Sequence, residues 1–460
     1  MSDASATPGR WIRRLPLVVL LSLGCASTET SSGPAPAADV FVFVPDASAP
    51  APEVAGEDAP TGFGAESLPR VELPADLSGL KPPLAVVGSD TGEAGLVYAA
   101  ALSGYFLLRV QQADGSFKYE YLPISDTWCW QDVIHRQVGP AYALVLLYGA
   151  TKRDEFRLAA DWAFEYAKPR IADQGDGELR ITDMGATSIL IFGLAHYGAF
   201  ATANGAPDAS KWHDTLVGLG KHLLARQNED GSFKEGSPLG RGQAVQALSH
   251  LDRYVPGGAY RDALLRAAGY SCDHKDEIAT GDVPYFLLYA GEALRHLNAV
   301  TGDARWNECS VALTDVNIAN QYTSEDKVDP SWHGGFGKTD GSTPTWSASL
   351  RLESMADALG LARDRGDTAR AELLEDRLRV GAEFVMRQQW RVGETTGYPN
   401  PEEILGCYPY FLPNDNPADL TCESTKLSWP KSRTDLAWHG TAMLVKTARV
   451  LGEEVVAPVP

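Results

Sequence analysis

Two kinds of predicted helix alternate along residues 92–452, and this alternation restricts the possible folds more than any other feature of the sequence. One kind is amphipathic and carries many charges, with predicted spans 92–112, 152–170, 208–227, 258–273, 303–322 and 367–390. The other kind is apolar and rich in Gly and Ala, with predicted spans 132–150, 183–201, 240–254, 283–301, 346–364 and 433–452. A helix that is apolar on every face must be surrounded by other elements. Six apolar helices inside a ring of six amphipathic helices satisfy both patterns, so we predict an all-α toroid of six helical hairpins.

A short repeat marks the predicted ends of two amphipathic helices. Residues 111–117 and 227–233 both begin with Gln and end with Asp-Gly-Ser-Phe, and a weaker echo, Gln388-Gln389-Trp390, ends the sixth amphipathic helix. The Asp-Gly pair supplies the left-handed turn that stops a helix, and we expect the following Phe to pack beneath that turn. A structural role accounts for these turns, so we assign them no part in catalysis.

The charge balance excludes one large class of partner. The 460 residues include 40 Lys+Arg and 60 Asp+Glu, which gives a net charge of −20. Binding to a nucleic-acid backbone depends on a basic surface. We therefore predict no nucleic-acid partner, and we do not expect attachment to anionic lipid through surface charge.

The N-terminus has the features of an export signal. A basic segment, residues 10–14, precedes an apolar run at 15–23 that is shorter than the roughly 20 residues of a membrane-spanning helix. The run ends at Cys25 in a sequence that resembles a bacterial lipobox, although Ser22 stands where that motif usually has Leu. Lipidation of Cys25 and ordinary signal-peptidase cleavage are the two alternatives. The predicted organisation is a signal peptide at 1–25, a disordered Ala/Pro-rich linker at 26–80, and the toroid domain at 81–460.

Four segments of the apolar helices resemble those of the six-hairpin glycosidase-like superfamily. They are His135-Arg136-Gln137-Val138-Gly139-Pro140-Ala141-Tyr142-Ala143-Leu144, Gly185-Ala186-Thr187, Arg351-Leu352-Glu353 and Arg433-Thr434-Asp435-Leu436-Ala437-Trp438-His439. The resemblance covers most of residues 90–453 and implies an (α/α)6 toroid. Glycoside hydrolases, polysaccharide lyases, sugar epimerases and terpenoid cyclases share this fold, so the reaction stays open. The sequence has no Asp-rich diphosphate-binding cluster and no Asp-Asp acid motif of the cyclases, which places that branch below the other three.

In such toroids the cavity opens where the inner helices begin, and polar residues at those positions are the candidates for catalysis. Asp183 is a candidate base and Asp282 a candidate proton donor, and either can instead cap its helix. Glu353 lies in a mostly apolar helix, where it is either part of a structural ion pair or a catalytic acid. Asp435 is the second candidate base. It lies four residues from His439 on one helix face, where the carboxylate would orient the ring and raise its pKa. The alternative for His439 is a core histidine whose hydrogen bonds are satisfied.

Cationic and aromatic residues near the same helix starts are candidates for substrate binding. Arg136, Arg351 and Arg433 would clamp an anionic group of the substrate. The apolar face of a sugar stacks on aromatic rings, although such rings can equally be packing anchors. The aromatic candidates are Trp128, Trp130, Trp332 and Trp346.

Five cysteines follow Cys25, so at least one of them has no partner within the chain. Cys407 and Cys422 lie in one long predicted loop and form the expected disulfide. Cys272 and Cys309 lie on consecutive amphipathic helices and form a second candidate pair, which leaves Cys129 as a buried thiol. No spacing resembles a zinc site, and we predict neither a metal nor a cofactor.

Taken with the resemblance, these residues favour a carbohydrate-active protein of the bacterial cell envelope that hydrolyses glycosidic bonds of a polysaccharide or oligosaccharide. Two alternatives remain open: a uronic-acid lyase or sugar epimerase, and a glycan-binding lipoprotein without catalysis. A glycan is the expected partner in each case. The expected membrane contact is through the N-terminal lipid alone, and the protein is secreted if Cys25 carries no lipid.

Overall fold

The computed structural model describes residues 93–255, 257–275, 283–345, 347–391, 397–410, 422 and 431–452. These residues form twelve α-helices in the order that the periodicity predicts. Their bounds are α1 Glu93–Val110, α2 Ile134–Thr151, α3 Asp154–Ala167, α4 Met184–Ala203, α5 His213–Arg226, α6 Pro238–Tyr254, α7 Gly258–Asp273, α8 Val283–Thr301, α9 Arg305–Asn320, α10 Ser347–Asp364, α11 Thr368–Gln388 and α12 Thr434–Leu451. Cys25 and the predicted signal and linker segments lie outside the described residues.

The even-numbered helices form a closed inner ring. Each packs against the next, and α12 returns to pack against α2. The outer helices α3, α5, α7, α9 and α11 each pack on the inner helix that precedes them, while α1 packs on α12. The first and last described helices therefore form the sixth hairpin and close the toroid. The predicted all-α toroid of six hairpins is confirmed.

Helix α1 differs from the other outer helices because it is buried on most of its surface. The prediction that this helix is amphipathic is wrong. Ala99, Ala100 and Phe106 are fully buried, since α12 packs on one side of the helix and the segment around Gly406 packs on another. The hydroxyl of Ser103 donates a 2.9 Å hydrogen bond to the carbonyl of Gly406, which ties that segment to α1.

Helix α4 shows why apolar inner helices require the ring. By length and composition it could cross a membrane, but 83% of its apolar window is buried inside the toroid. The side chain of Asp183 caps its first turn by accepting a 2.9 Å hydrogen bond from the backbone N–H of Ala186. The capping alternative for Asp183 is thus what the structure contains.

A glutamine at the end of an outer helix recurs as a link to the neighbouring outer helix. Among the described residues four such glutamines donate from Nε2 to a backbone carbonyl there: Gln111 to Ala159 (2.9 Å), Gln227 to Ala263 (2.8 Å), Gln321 to Arg377 (3.0 Å) and Gln389 to Ala99 (2.8 Å). A glycine with positive φ follows each of these glutamines. It lies close to a backbone carbonyl of the neighbouring outer helix, one turn beyond the carbonyl that the glutamine contacts: Gly115 at Trp162, Gly231 at Arg266, Gly334 at Val380 and Gly406 at Leu102. The two Asp-Gly turns seen in the sequence are therefore two of four equivalent joints.

Replacement of Gly231 by Ala should destabilise the protein strongly. The residue has φ +92°, and an added Cβ would lie 2.1 Å from the carbonyl oxygen of Arg266. The left-handed conformation alone costs about 1–3 kcal/mol for a residue other than glycine, and the backbone clash adds to that cost. Gly205 is the matched control, because it has φ +70° and no atom within 4 Å of an added Cβ. Urea denaturation should show a clearly larger loss in the free energy of unfolding for Gly231→Ala than for Gly205→Ala. Equal losses would contradict the proposed joint.

Short strands, which the sequence pattern did not predict, hold the segments around the helix starts. β1 Glu120–Leu122 pairs antiparallel with β2 Thr127–Cys129 and with β5 Ser432–Arg433, whereas β3 Ile171–Gly175 and β4 Glu178–Ile181 form a separate hairpin. A buried ion pair between Glu120 and Lys431, 2.8 Å apart, reinforces the three-stranded sheet. This sheet joins the segment before α2 to the segment before α12, although the two are far apart in sequence.

The predicted disulfide between Cys407 and Cys422 is wrong. Cys422 pairs with Cys129, and Cys407 is a buried thiol whose pKa burial raises to about 12. The physical reason is the three-stranded sheet, which brings β2 and its Cys129 to the chain segment that precedes α12. Cys407 instead belongs to the segment that packs on α1, and its thiol faces the carbonyl of Arg433 at 3.5 Å. The second candidate pair, Cys272–Cys309, is confirmed and joins α7 to α9.

Candidate active site

Side chains from the starts of α2 and α12 meet at one end of the inner ring. We call Tyr119, His135, Arg136, Arg433 and Asp435 the mouth cluster. The guanidinium of Arg433 donates from Nε (3.0 Å) and from Nη2 to the carboxylate of Asp435, and the hydroxyl of Tyr119 donates to the same carboxylate at 3.1 Å. The guanidinium groups of Arg136 and Arg433 lie 4.0 Å and 4.9 Å from the centre of the Tyr119 ring.

The local chain geometry explains why these residues meet. Arg433 is the last residue of β5 and pairs with Glu120 of β1, and the backbone N–H of Thr434 donates to the carbonyl of Tyr119 at 2.9 Å. Asp435 lies in the first turn of α12, where the helix dipole favours a negative charge. The sheet therefore places Tyr119 over the start of the last inner helix.

Asp435 is the ionised carboxylate of this cluster. Burial alone would raise its pKa, but the charges of Arg433 and Arg136 and the hydrogen bonds from Arg433 outweigh burial and lower it. Arg433 is held as a cation, because the neighbouring Asp435 raises its pKa despite burial. At neutral pH the site thus contains a carboxylate fixed by three donors.

His135 is a member of the site that sequence reasoning missed, although it stands in one of the motifs that carry the family resemblance. Burial, and then the charge of Arg136, lower its pKa to about 4, while Asp183 and Asp435 oppose this change. The imidazole is therefore neutral at neutral pH and responds to charges on three inner helices. Its position in the first turn of an inner helix was the available signal, the same one that singled out Arg136.

A second group of charges lies deeper in the ring, on α8, α10 and α12. We call Glu292, Glu353, Asp357 and Lys446 the core charge cluster. Nζ of Lys446 lies 3.2 Å from Glu292, 3.1 Å from Glu353 and 3.2 Å from Asp357, and all four residues are buried. Arg253 adds a 3.0 Å ion pair to Glu292. The ion-pair alternative for Glu353 is the one that the structure contains, with Lys as its partner in place of the expected Arg.

His439 lies next to this cluster, and its environment differs from the one predicted. Its Nδ1 is 3.9 Å from Oε2 of Glu353, while the hydrogen bonds to Asp435 come from Arg433 and Tyr119. The predicted rise in the pKa of His439 is wrong: burial lowers it more than Glu353 and Asp435 raise it. The ring is neutral at neutral pH.

The core charge cluster makes stability depend on pH through Asp357. Burial raises the pKa of Asp357 to about 7, against 3.8 for an ordinary Asp, and Lys446 only partly opposes this. Between these values the folded protein holds a proton that the unfolded chain has released, so stability falls as pH rises through this window. Asp357→Asn, which mimics the protonated acid, should therefore be more stable than the wild type at pH 8 by on the order of 1 kcal/mol or more, with no gain at pH 4. Thermal melts at both pH values measure this difference, and a gain independent of pH would contradict it.

The remaining arginine and aromatic candidates are spread over several environments. Arg351 donates from Nη1 to Asn317 at 3.0 Å and lies 5.4 Å from the ring of Phe336. The indole N–H of Trp128 donates to Glu403 at 3.1 Å, which fits a packing anchor.

Two of the other tryptophans are described, and they differ in exposure. Trp130, between β2 and α2, is 51% exposed, whereas Trp332 is half-buried against Tyr322 with ring centres 5.5 Å apart. Asp282 and Trp346 lie outside the described residues. The structure therefore brings Arg136, Arg433 and Asp435 together and leaves the predicted roles of the other candidates as predictions.

One group among the described residues has side chains of metal-ligating type close together. His196, His250 and Glu292 are buried and offer three atoms within 4.8 Å of one another. Glu292, however, already contacts two cations, Lys446 at 3.2 Å and Arg253 at 3.0 Å. A divalent ion would have to share the carboxylate with both in a low-dielectric core, so we assign no metal to this group.

No protein-family model and no curated relative matches the sequence. Solved structures do match the fold. An α-1,6-mannanase from Salegentibacter sp. matches with a TM-score of 0.55 and 9% identity over 78% of this chain and 100% of the mannanase. A D-mannose isomerase matches with a TM-score of 0.53 and 14% identity over 79% of this chain and 99% of the isomerase. A heparin-specific unsaturated glucuronyl hydrolase matches with a TM-score of 0.53 and 12% identity over 77% of this chain and 97% of the hydrolase.

The chain therefore has the (α/α)6 toroid fold that these solved structures share. At these identities the comparisons establish the fold alone. The reaction has to be argued from the residues of the mouth cluster.

Proposed function

We propose that this protein is a carbohydrate-active enzyme that hydrolyses glycosidic bonds, with the mouth cluster as its site. The observation that carries the proposal is the carboxylate of Asp435, which Arg433 and Tyr119 fix in place and which Arg433 and Arg136 keep ionised. Glycoside hydrolysis uses such a carboxylate either to activate water or to attack the anomeric carbon. Three donors fix the carboxylate in one orientation, which is the preorganisation that catalysis needs.

Hydrolysis also needs a proton donor for the leaving oxygen. Glu353 is already engaged by the ammonium of Lys446 at 3.1 Å within the core charge cluster, so we do not assign it as the donor. Asp282 remains the proposed donor, because in the sequence it directly precedes Val283, the first residue of the inner helix α8.

A second reaction class has its own support in the same site. His135 and His439 are both neutral imidazoles at neutral pH, and neutral imidazoles take protons from carbon next to a carbonyl. Sugar epimerases and isomerases need such bases, and the matching structures include a D-mannose isomerase and a cellobiose 2-epimerase.

One incubation separates the two classes. The protein is mixed with a panel of neutral and uronic oligosaccharides, in H2O and in D2O, and mass spectrometry follows the products. Fragments that have gained water indicate hydrolysis, and fragments with unsaturated ends indicate a lyase. Unchanged fragment length with incorporation of deuterium at carbon indicates epimerisation or isomerisation. Intact and unlabelled sugars across the panel would reject both proposals in favour of glycan binding.

Trp130 provides a prediction about longer substrates. Its indole is 51% exposed, next to the start of α2, and we take the value of about 0.5–1.5 kcal/mol for an aromatic pair as the scale for a sugar stacked on the ring. Trp130→Ala should therefore raise KM for an extended substrate by about 2–10-fold and leave kcat unchanged. Steady-state kinetics on a short and a long oligosaccharide measure this effect, and an equal change for both lengths would contradict a stacking role.

We also propose that the protein works in the cell envelope, anchored through lipid on Cys25. The disulfides Cys129–Cys422 and Cys272–Cys309 support an oxidising compartment. Metabolic labelling with palmitate tests the anchor: the wild type should take up label and Cys25→Ser should not. Equal labelling of both proteins would reject lipidation at this cysteine.

A further inference from the structure

The mouth cluster contains more positive than negative charge. Arg136 and Arg433 are cations, because a guanidinium group does not release its proton in proteins. Asp435 is the carboxylate of the cluster, and Arg433 holds it with donors from Nε, at 3.0 Å, and from Nη2. The imidazole of His135 is neutral at neutral pH, and burial keeps the hydroxyl of Tyr119 neutral by raising its pKa. Two guanidinium groups and one carboxylate therefore leave the cluster with a net charge of +1.

Arg136 has no acidic partner among the described residues. Its guanidinium donates from Nη1 to the amide oxygen of Gln131 and lies 4.0 Å from the centre of the Tyr119 ring, and both of these partners are neutral. The residue is only 9% exposed, so water solvates little of its charge. A buried charge without an ionic partner costs stability. Its position in the candidate site points to a partner that arrives with the ligand.

Arg170 shows what a completed arginine site looks like in the same protein. Its guanidinium lies 4.1 Å from the centre of the Tyr166 ring, a distance close to that between Arg136 and the Tyr119 ring. Arg170 also forms a 2.9 Å ion pair with Asp132. The two arginines thus share an aromatic neighbour and differ in the carboxylate, which only Arg170 has.

The start of α2 adds positive potential around Arg136. The residue before the helix, Val133, provides no side-chain cap, and the first turn contains no acidic residue. In contrast, Asp183 caps α4, and Asp435 lies in the first turn of α12. The first backbone N–H groups of a helix favour a negative charge nearby. An anion beside Arg136 would therefore be stabilised by the guanidinium and by the helix together.

We propose that the mouth cluster takes an acidic sugar, and that Arg136 binds the carboxylate of a uronate residue in the substrate. This inference rests on the proposed function, because it names the class of glycan on which that site acts. A guanidinium has five N–H donors, of which Gln131 receives one, and its planar edge matches the two oxygens of a carboxylate. Arg433 is committed to Asp435, so Arg136 is the cation of the cluster that the substrate would meet. One substrate carboxylate would bring the net charge of the cluster to zero.

The first experiment changes the substrate and leaves the protein intact. Oligosaccharides of polygalacturonate, alginate and hyaluronate are each paired with a carboxyl-reduced copy, in which every uronate has become the neutral sugar with the same linkage. The full chain is incubated with each pair, and mass spectrometry of the products gives kcat/KM. We expect the acidic form to exceed its reduced copy by about 10-fold or more, the usual effect of a hydrogen bond to a charged group. Equal or faster turnover of the reduced copies would overturn the proposal.

Variants then test Arg136 itself. Arg136→Gln should lower the ratio of the two kcat/KM values, acidic form over reduced copy, by about 10-fold or more. Arg136→Lys should keep part of the preference, since it retains the charge without the planar pair of donors. Arg170→Gln is the matched control, because it removes a guanidinium that also lies against a tyrosine ring, and it should leave the ratio unchanged. An equal fall in both glutamine variants, or none in Arg136→Gln, would overturn the assignment.

Binding measurements separate this inference from the proposed function. Saturation-transfer NMR compares glucuronate and galacturonate with glucose and galactose, and it detects bound sugar without turnover. If no glycan is cleaved but the uronates bind the wild type and not Arg136→Gln, hydrolysis fails and the acidic-sugar site stands. If a neutral glycan is cleaved through Asp435 and the uronates bind no better than the neutral sugars, the acidic-sugar site fails alone. Neither cleavage nor binding of uronates would reject both.

Discussion

Asp435→Asn should lower kcat/KM on the substrate found in the oligosaccharide panel by about 10²–10⁴-fold, the usual contribution of a catalytic acid or base. The amide keeps the shape of the side chain but cannot carry the charge that Arg433 and Tyr119 hold in place. If Asp435 acts in the chemical step, the loss should fall on kcat and leave KM near its wild-type value. Steady-state kinetics at saturating and limiting substrate measure both constants.

Asp183→Asn is the matched control for this substitution. Asp183 is also at the start of an inner helix, but it is exposed and caps α4, and Asn caps helices about as well as Asp. Its activity should stay within a few-fold of the wild type. Tyr119→Phe removes one donor to Asp435 and leaves the ion pair with Arg433 in place, so it tests the same carboxylate without removing its charge. Full activity of Asp435→Asn in a folded protein would sink the proposed site.

Lys446→Met should destabilise the folded protein severely. It removes the ammonium that three buried carboxylates share. Removal of one partner from a buried ion pair costs about 3–5 kcal/mol, because the remaining charge stays buried without compensation. The loss in the free energy of unfolding should be smaller at pH 5 than at pH 8, since protonation relieves the repulsion among the carboxylates.

A surface lysine provides the comparison for Lys446. Lys211 also contacts two carboxylates, Asp161 and Glu165, each at 2.8 Å, but its side chain is 33% exposed. Lys211→Met should cost about 0–1 kcal/mol, as exposed ion pairs do. Denaturant unfolding of both variants at two pH values measures the difference. Similar losses in the free energy of unfolding for the two variants would show that the core charge cluster stabilises the fold no more than a surface ion pair does.

Much of the helical framework could be predicted because it depends on local periodicity. The predicted inner segment 183–201 corresponds to α4, Met184–Ala203, and 258–273 coincides with α7. Asp183 sits where a capping residue is needed, and Asp435 and Arg433 stand at the start of the last inner helix. The capping hydrogen bond of Asp183 and the ion pair between Arg433 and Asp435 each join residues within one helical turn, so the local sequence contains both of these interactions.

The errors concern residues whose partners lie far along the chain. Cys129 pairs with Cys422 at a separation of 293 residues, and the three-stranded sheet that brings them together has strands of only two or three residues. Gln321 and Gln389 form the same joint as Gln111 and Gln227, but without the Asp-Gly-Ser signature that made the first two visible. Short strands and single hydrogen bonds leave too little pattern in the sequence to be recognised.

The sequence by itself determined the order of the twelve helices, the helices of the inner ring and the residues at the inner-helix starts, because each follows from the spacing of apolar side chains along one segment. Only the tertiary structure decided which charges meet. Lys446, near the end of α12, reaches carboxylates on α8 and α10, and Tyr119 reaches Asp435 through a sheet that joins opposite ends of the chain. Such contacts depend on closure of the ring, since electrostatic interactions act through space and a single helix contains only one of the two partners.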